Sequence, residues 1–331
     1  MDISTFYLGR TLATPFVIGS SPMSNQVDTV KRLEDAGASM VVMHSLFEEQ
    51  FTAEQLAANW SMEHGSGPVD PALDELPTAD AFAMGPHEYF SRITELKRHV
   101  GIPIVGSLNG VTPGNWVMYA EGIQQSGADA LELNVYDPAM SPGITAEAVE
   151  ARIIEVVRLV RARVKIPLAV KVGPFYTSFA HFAARLDAEK VDALVVFNRF
   201  LMPDIDLDSM ETFRTLKLST SDELPMRLRW VAALSGNVKA DLAITGGVHT
   251  GADVIKSMLV GANAVQLTSC LLRYGAKHLV RIREHIEEWL EKNRYATLRE
   301  ITGKMNLQHN VNRDAFERAN YVGTLASRQG S

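Results

Sequence analysis

Eight short apolar runs, a helix-like stretch after each, and two recurring ways of entering them predict a single (β/α)8 barrel for this chain. The runs are Pro15–Ser20, Ser39–His44, Pro103–Leu108, Ala130–Val135, Pro167–Lys171, Ala193–Phe197, Leu242–Thr245 and Ala264–Leu267. They are rich in β-branched residues and lack polar alternation, the pattern of parallel strands covered on both faces. Four are entered through Gly37-Ala38-Ser39, Gly127-Ala128-Asp129, Val191-Asp192-Ala193 and Gly261-Ala262-Asn263. A glycine there suits a left-handed helix end, and small residues let helix and strand come close. Three others follow a proline, at Thr14-Pro15, Ile102-Pro103 and Ile166-Pro167. No Gly-x-Gly-x-x-Gly turn follows the first run, which weighs against a doubly wound open sheet.

With 331 residues and 46% apolar content, and no Gly/Ser- or Pro-rich linker, one domain over residues 1–331 is expected. Two segments exceed the barrel minimum. The polar stretch Leu46–Pro86 reads as an insertion on the active face, a candidate lid or subunit contact. After Lys277, Leu279, Ile282, Ile286, Trp289 and Leu290 mark an amphipathic eighth helix, and a tail follows over residues 292–331.

Thirty-two basic residues against 39 acidic ones give a net charge of −7, which argues against a nucleic-acid surface or a polybasic membrane patch. Residues 1–12 show no basic stretch before an apolar run, and no apolar run approaches the ~20 residues of a bilayer crossing. A cytoplasmic protein is expected. Cys270 is the only cysteine, so disulfides and cysteine-ligated clusters within the chain are excluded, and no metal is expected. Redox chemistry here would need an organic cofactor or a partner's metal.

Barrel enzymes carry their chemistry at the carboxyl ends of the strands. Those ends read Ser20-Ser21, His44-Ser45, Ser107-Leu108-Asn109, Asn134 to Asp137, Lys171, Asn198-Arg199, Thr245-Gly246-Gly247 and Thr268-Ser269. The last two put small residues and open backbone N–H groups where barrels bind phosphate. Lys171 alternates into the mouth. It reads as a salt bridge to a carboxylate such as Glu132, a charge facing an anionic cofactor, or a Schiff-base lysine.

From about Pro15 to Gly275 the chain resembles the dihydroorotate dehydrogenase family of FMN-dependent barrels. The likeness lies in Leu131-Glu132-Leu133-Asn134 with Pro138, Val170-Lys171, Asn198, Thr245-Gly246-Gly247-Val248-x-Thr250-Gly251-x-Asp253, and Gly261-Ala262-x-x-Val265-Gln266. The resemblance implies FMN across the mouth, with Ser20, Ser21, Ser45, Asn134, Lys171, Thr245, Gly246, Gly247, Thr268 and Ser269 as binding residues. It also implies a small substrate touching Asn134, Asn198 and His44, a separate electron acceptor, and a homodimer. Lys171 would face the N1/O2 edge of the ring, where a cation stabilises the charge gained on reduction. Asp137 stands where the family has its catalytic Cys or Ser, so Asp137 and Lys171 are the catalytic candidates; a turn cap or a pair with Arg199 is the plainer role for Asp137. His44 replaces a lysine, Ala139 and Ala83 replace substrate asparagines, Arg199 replaces a serine, and Pro22 replaces a glycine. The expected activity is therefore FMN-dependent oxidation or reduction of a C–C bond in a small polar substrate. Alternatives are dihydroorotate oxidation of pyrimidine biosynthesis with Asp137 as base, a flavin-free phosphate-binding lyase or aldolase using Lys171, and a non-catalytic FMN carrier.

Overall fold

The computed structural model describes residues 1–47, 85–110, 116–199, 203–214 and 217–310. Eight parallel strands close into a barrel: β1 (Phe16–Ile18), β2 (Met40–Val42), β3 (Ile104–Asn109), β4 (Ala130–Val135), β5 (Leu168–Val172), β6 (Ala193–Val196), β7 (Asp241–Thr245) and β8 (Ala264–Leu267). The hydrogen-bonded order runs 2-1-8-7-6-5-4-3, and a β2–β3 pairing, Val41 opposite Ile104, closes the ring. Every expected strand is present.

Helices α1 (Val27–Asp35), α2 (Pro86–His99), α3 (Trp116–Gln125), α4 (Ala146–Arg163), α5 (Phe179–Ala188), α6 (Leu224–Leu234), α7 (Gly251–Leu259), the short α8 (Ser269–Tyr274) and α9 (His278–Lys292) surround it. The expected helix after Lys277 is α9, which buries Leu279, Ile282, Ile286 and Leu290. Gly37, Gly127 and Gly261 have φ of +106°, +91° and +105°, the left-handed exits read from sequence. At the remaining entrance of that kind Lys190 takes the turn, with φ +61°. α7 opens with a capping box in which Thr250 and Asp253 satisfy each other's backbone N–H groups.

Strand alternation sorts the interior into layers. Val17, Val42, Val105, Ala130, Ala169, Ala193, Ala243 and Ala264 form one buried cluster with Tyr7, Leu8 and Leu12 of an amino-terminal hairpin, Thr5–Tyr7 against Arg10–Leu12. The five alanines leave room for that hairpin to close the floor. Leu8 N–H donates to Asp241 (2.8 Å), and Asn263 donates to Phe6 O (3.1 Å). Burial raises the Asp241 carboxyl to about 6. One pleat period above this apolar layer, the same strands present Gly19, His44, Ser107, Glu132, Lys171, Thr245 and Gln266. The chain that makes a dry floor thus makes a polar mouth two residues later.

Of the expected insertion, Leu46–Phe47 adds a short strand beside the end of β3 and Pro86 begins α2; residues 48–84, Ala83 among them, lie outside the described residues. The tail continues as far as Asn310 along α6 and α7, with Gly303 N–H on Met258 O (3.0 Å) and Leu307 N–H on Ala232 O (2.9 Å). Residues 311–331 lie outside the description. Among the described residues no helix is long and apolar enough to cross a membrane.

Candidate active site

The first half of the mouth is a relay of hydroxyls. Ser20 Oγ lies 3.2 Å from Ser45 Oγ, which lies 2.9 Å from Ser107 Oγ. Tyr89 of α2 is fully buried; its hydroxyl accepts from Ser107 N–H (2.8 Å) and donates to Ser107 O (3.2 Å). The His44 ring meets Tyr89 edge-on at 5.2 Å, and His44 N–H donates to Ser24 Oγ (2.8 Å). Neither His44 ring nitrogen has a partner among the described residues, and burial pushes its pKa down to about 4. A neutral imidazole therefore stands where the resemblance places a lysine.

Deeper in the mouth, Lys171 Nζ donates to Glu132 Oε1 at 3.1 Å, and Glu132 also accepts from Gln266 Nε2. Three strands, β5, β4 and β8, thus contribute one buried ion pair with an amide alongside. Glu132 is 1% exposed, and Lys171 and Gln266 supply its hydrogen-bond donors. The salt-bridge reading of Lys171 is the observed state, and it does not remove the lysine from the mouth. Asn134 Oδ1, Gln266 Oε1 and Ser21 Oγ are buried and have no partner among the described residues. Buried polar atoms of this kind cost free energy unless a ligand meets them.

Opposite lies the glycine turn. Gly246 and Gly247 both have φ +79°. A Cβ on Gly247 would stand 2.6 Å from the backbone N of Leu224, and one on Gly246 would stand 2.7 Å from Arg227 Nη2. The turn is packed onto the start of α6, so glycine is required at both positions. A seryl–histidyl network braces it: Gly247 N–H donates to Ser219 Oγ (3.3 Å), Ser219 Oγ meets His249 Nε2 (3.0 Å), and Ser219 N–H donates to Ser269 Oγ (3.1 Å). Across β8, Thr268 Oγ1 occupies the space a Cβ on Gly19 would fill.

On the rim, Asp137 Oδ1 accepts from Ala139 N–H (3.0 Å) and Oδ2 pairs with Arg152 of α4. The turn cap expected for Asp137 is present; the pair with Arg199 is not, because Arg199 faces Glu223 at 3.6 Å. A cavity of about 450 Å³ opens between the loops after β4 and β5, lined among others by Tyr136, Asp137, Thr145, Glu150, Phe175 and Tyr176. Neither Lys171 nor the glycine turn borders that cavity. Asn198 N–H donates to Val172 O (2.8 Å), which ties the loop after β6 to β5.

Sequence reading missed Arg227, Ser219 and His249. Arg227 was legible in principle: it shares the buried face of α6 with Leu224, Val231 and Leu234, and a cation on a helix's apolar face needs a reason. Ser219 and His249 gave no local signal, because their partners lie 50 and 30 residues away.

A closed (β/α)8 barrel whose polar side chains gather at the carboxyl ends of its strands, with a buried lysine and a glycine turn on the seventh strand, has the architecture of the barrel enzymes. Unpartnered amide oxygens beside a lysine fit the polar edge of a flavin, and the glycine turn fits its phosphate. The family profile described as Dihydroorotate dehydrogenase matches residues 81–290. The chain is 24% identical over 310 residues to the "Dihydroorotate dehydrogenase B (NAD(+)), catalytic subunit" of Thermoplasma volcanium, covering 91% of this chain and 98% of that one. It is 27% identical over 271 residues to the protein of the same name from Methanocella arvoryzae, covering 80% and 85%. With the protein from Pyrococcus furiosus it shares 24% over 310 residues, covering 92% and 98%. The chain belongs to the dihydroorotate dehydrogenase family. It is an oxidoreductase of the kind that acts on CH–CH bonds, in a family of flavoproteins.

Proposed function

We propose that the chain binds FMN at the barrel mouth and there oxidises or reduces a C–C bond of a small polar substrate. The observation that carries this reading is the cluster of buried, unpartnered acceptors, Asn134 Oδ1 and Gln266 Oε1, around the Lys171–Glu132 pair, in a barrel mouth that also carries the Gly246-Gly247 turn. Gly246, Gly247, Thr245, Thr268 and Ser269 would hold the phosphate. Lys171, Asn134, Ser20, Ser21 and Ser45 would hold the ring. FMN, when bound, supplies a two-electron acceptor. The protein's own residues orient it, exclude water through the closed apolar floor, and handle the proton. Asp137 is the proposed base: it is a carboxylate on the loop after β4, held in one rotamer by Arg152 and the Ala139 N–H. His44, Asn134 and Asn198 face the substrate. The names of the relatives, which are catalytic subunits, support a partner subunit or separate protein as electron acceptor.

Purified protein is expected to show flavin absorption and to bleach anaerobically with its reductant. Asp137→Asn is expected to keep the flavin yet lose most of its reduction rate; reduction at the wild-type rate would remove Asp137 as base. Dihydroorotate belongs in the first screen, because Asn134, Lys171 and the glycine turn all match the family's pattern. The lyase reading is disfavoured because the chain belongs to a family of oxidoreductases.

A further inference from the structure

The glycine turn stands on a buried cation. Arg227 is 4% exposed, and its Nε donates to Thr245 O (2.5 Å) while Nη1 donates to Glu223 O (2.6 Å). In a planar trans peptide the carbonyl and the next N–H point to opposite sides. Because Thr245 O faces Arg227 on the α6 side, the Gly246 N–H points away from Arg227. Arg227 thereby fixes the peptide plane that presents this donor. Its charge is only loosely matched: the Glu223 carboxylate stands 3.5 Å from Nη2, is 39% exposed, and is shared with Arg199 at 3.6 Å. A buried guanidinium with half a counter-ion is a site that gains from an added anion.

We propose that Arg227 and Glu223 act in opposite senses on phosphate affinity, Arg227 positioning and charging the Gly246 turn from beneath and Glu223 offsetting that charge. The ligand class is a phosphate monoester, and the inference rests on the FMN reading for its full ligand. Arg227 is a positioning residue, since it reaches the ligand through the Thr245–Gly246 peptide. Glu223 keeps the ligand-free turn from holding an unmatched charge, and it limits how tightly a phosphate binds. A structural role for Arg227 alone would weaken every ligand of the mouth equally and would give Glu223 no negative effect.

The test is titration calorimetry with FMN and with riboflavin, which lacks the phosphate, on wild type, Arg227→Met, Arg227→Lys and Glu223→Gln. Arg227→Met is expected to weaken FMN about tenfold or more with riboflavin affinity unchanged, the worth of one oriented backbone N–H donor to a charged phosphate. Arg227→Lys, which keeps the charge without the fork, is expected to fall between. Glu223→Gln is expected to tighten FMN about two- to fivefold, the size of a part-exposed ion pair, again with riboflavin unchanged. Equal losses for both flavins in the Arg227 variants, or weaker FMN binding by Glu223→Gln, overturn the proposal while leaving the FMN reading intact. If Arg227→Met does not fold, the FMN-to-riboflavin ratios of the other two variants decide. Wild type that binds neither flavin overturns both readings.

Discussion

Replacing Lys171 by Met and Glu132 by Gln together should cost clearly less than the two single replacements add up to. Glu132 is 1% and Lys171 5% exposed, and the bond between them is 3.1 Å. Removing one member of such a pair strands the other charge, at about 3–5 kcal/mol. Here Gln266 Nε2 still donates to Glu132, so the lower end of that range is expected for Lys171→Met. Glu132→Gln leaves an amide near an ammonium and should cost about 1–3 kcal/mol. The double variant Lys171→Met, Glu132→Gln removes both charges and should recover about 2 kcal/mol relative to the sum of the single variants. Urea denaturation of the four proteins, followed by far-ultraviolet circular dichroism, closes the cycle. Additive losses would show that the two groups do not depend on each other, and the account of a buried, mutually sustained pair would be wrong. On the flavin-loaded protein, Lys171→Met should also lower the flavin midpoint potential; an unchanged or higher potential would place the lysine away from the ring.

Three further outcomes are expected. Gly247→Ala places a methyl against backbone at 2.6 Å and an L-residue at φ +79°, so it should destabilise the fold by about 2 kcal/mol or more and weaken phosphate-bearing ligands; wild-type melting and affinity would sink the packed-turn description. The Asp241 carboxyl, raised to about 6 mainly by burial, holds its proton better folded than unfolded. Its contribution is therefore full below about pH 4 and is lost as pH rises through about 6, and Asp241→Asn should flatten that part of the stability–pH curve measured by urea denaturation. His44, pushed to about 4 by burial, should stay neutral through pH 5–8, so a nuclear magnetic resonance titration of its ring that moved near 6.5 would refute the buried position assigned to it.

Much of this was legible in residue order, for identifiable reasons. Parallel strands buried on both faces advertise themselves as apolar runs, and the left-handed glycines at 37, 127 and 261 mark where helices stop. Lys171 and the Gly246-Gly247 turn stood out because a cation and two glycines at strand ends are chemically unusual. What was not legible depends on contacts between distant segments. Asp137 could be placed on its loop, yet its partner proved to be Arg152 on α4 and not Arg199. Arg227 lies 18 residues before the carbonyl it holds, and nothing local joins the two.

The amino-terminal hairpin gives the barrel an unexpected continuity. Asp241 and Asn263, which hold Leu8 and Phe6 at the floor, stand at the roots of β7 and β8, whose far ends carry the phosphate turn and Thr268. Two strands of four or five residues are stiff rods on this scale, gripped at one end by the chain's first dozen residues and at the other by whatever the mouth holds. Asn263→Ala, which removes the bond to Phe6 O at the root of β8, should therefore speed amide exchange in the hairpin, and occupancy of the mouth should slow it if the two strands join the ends.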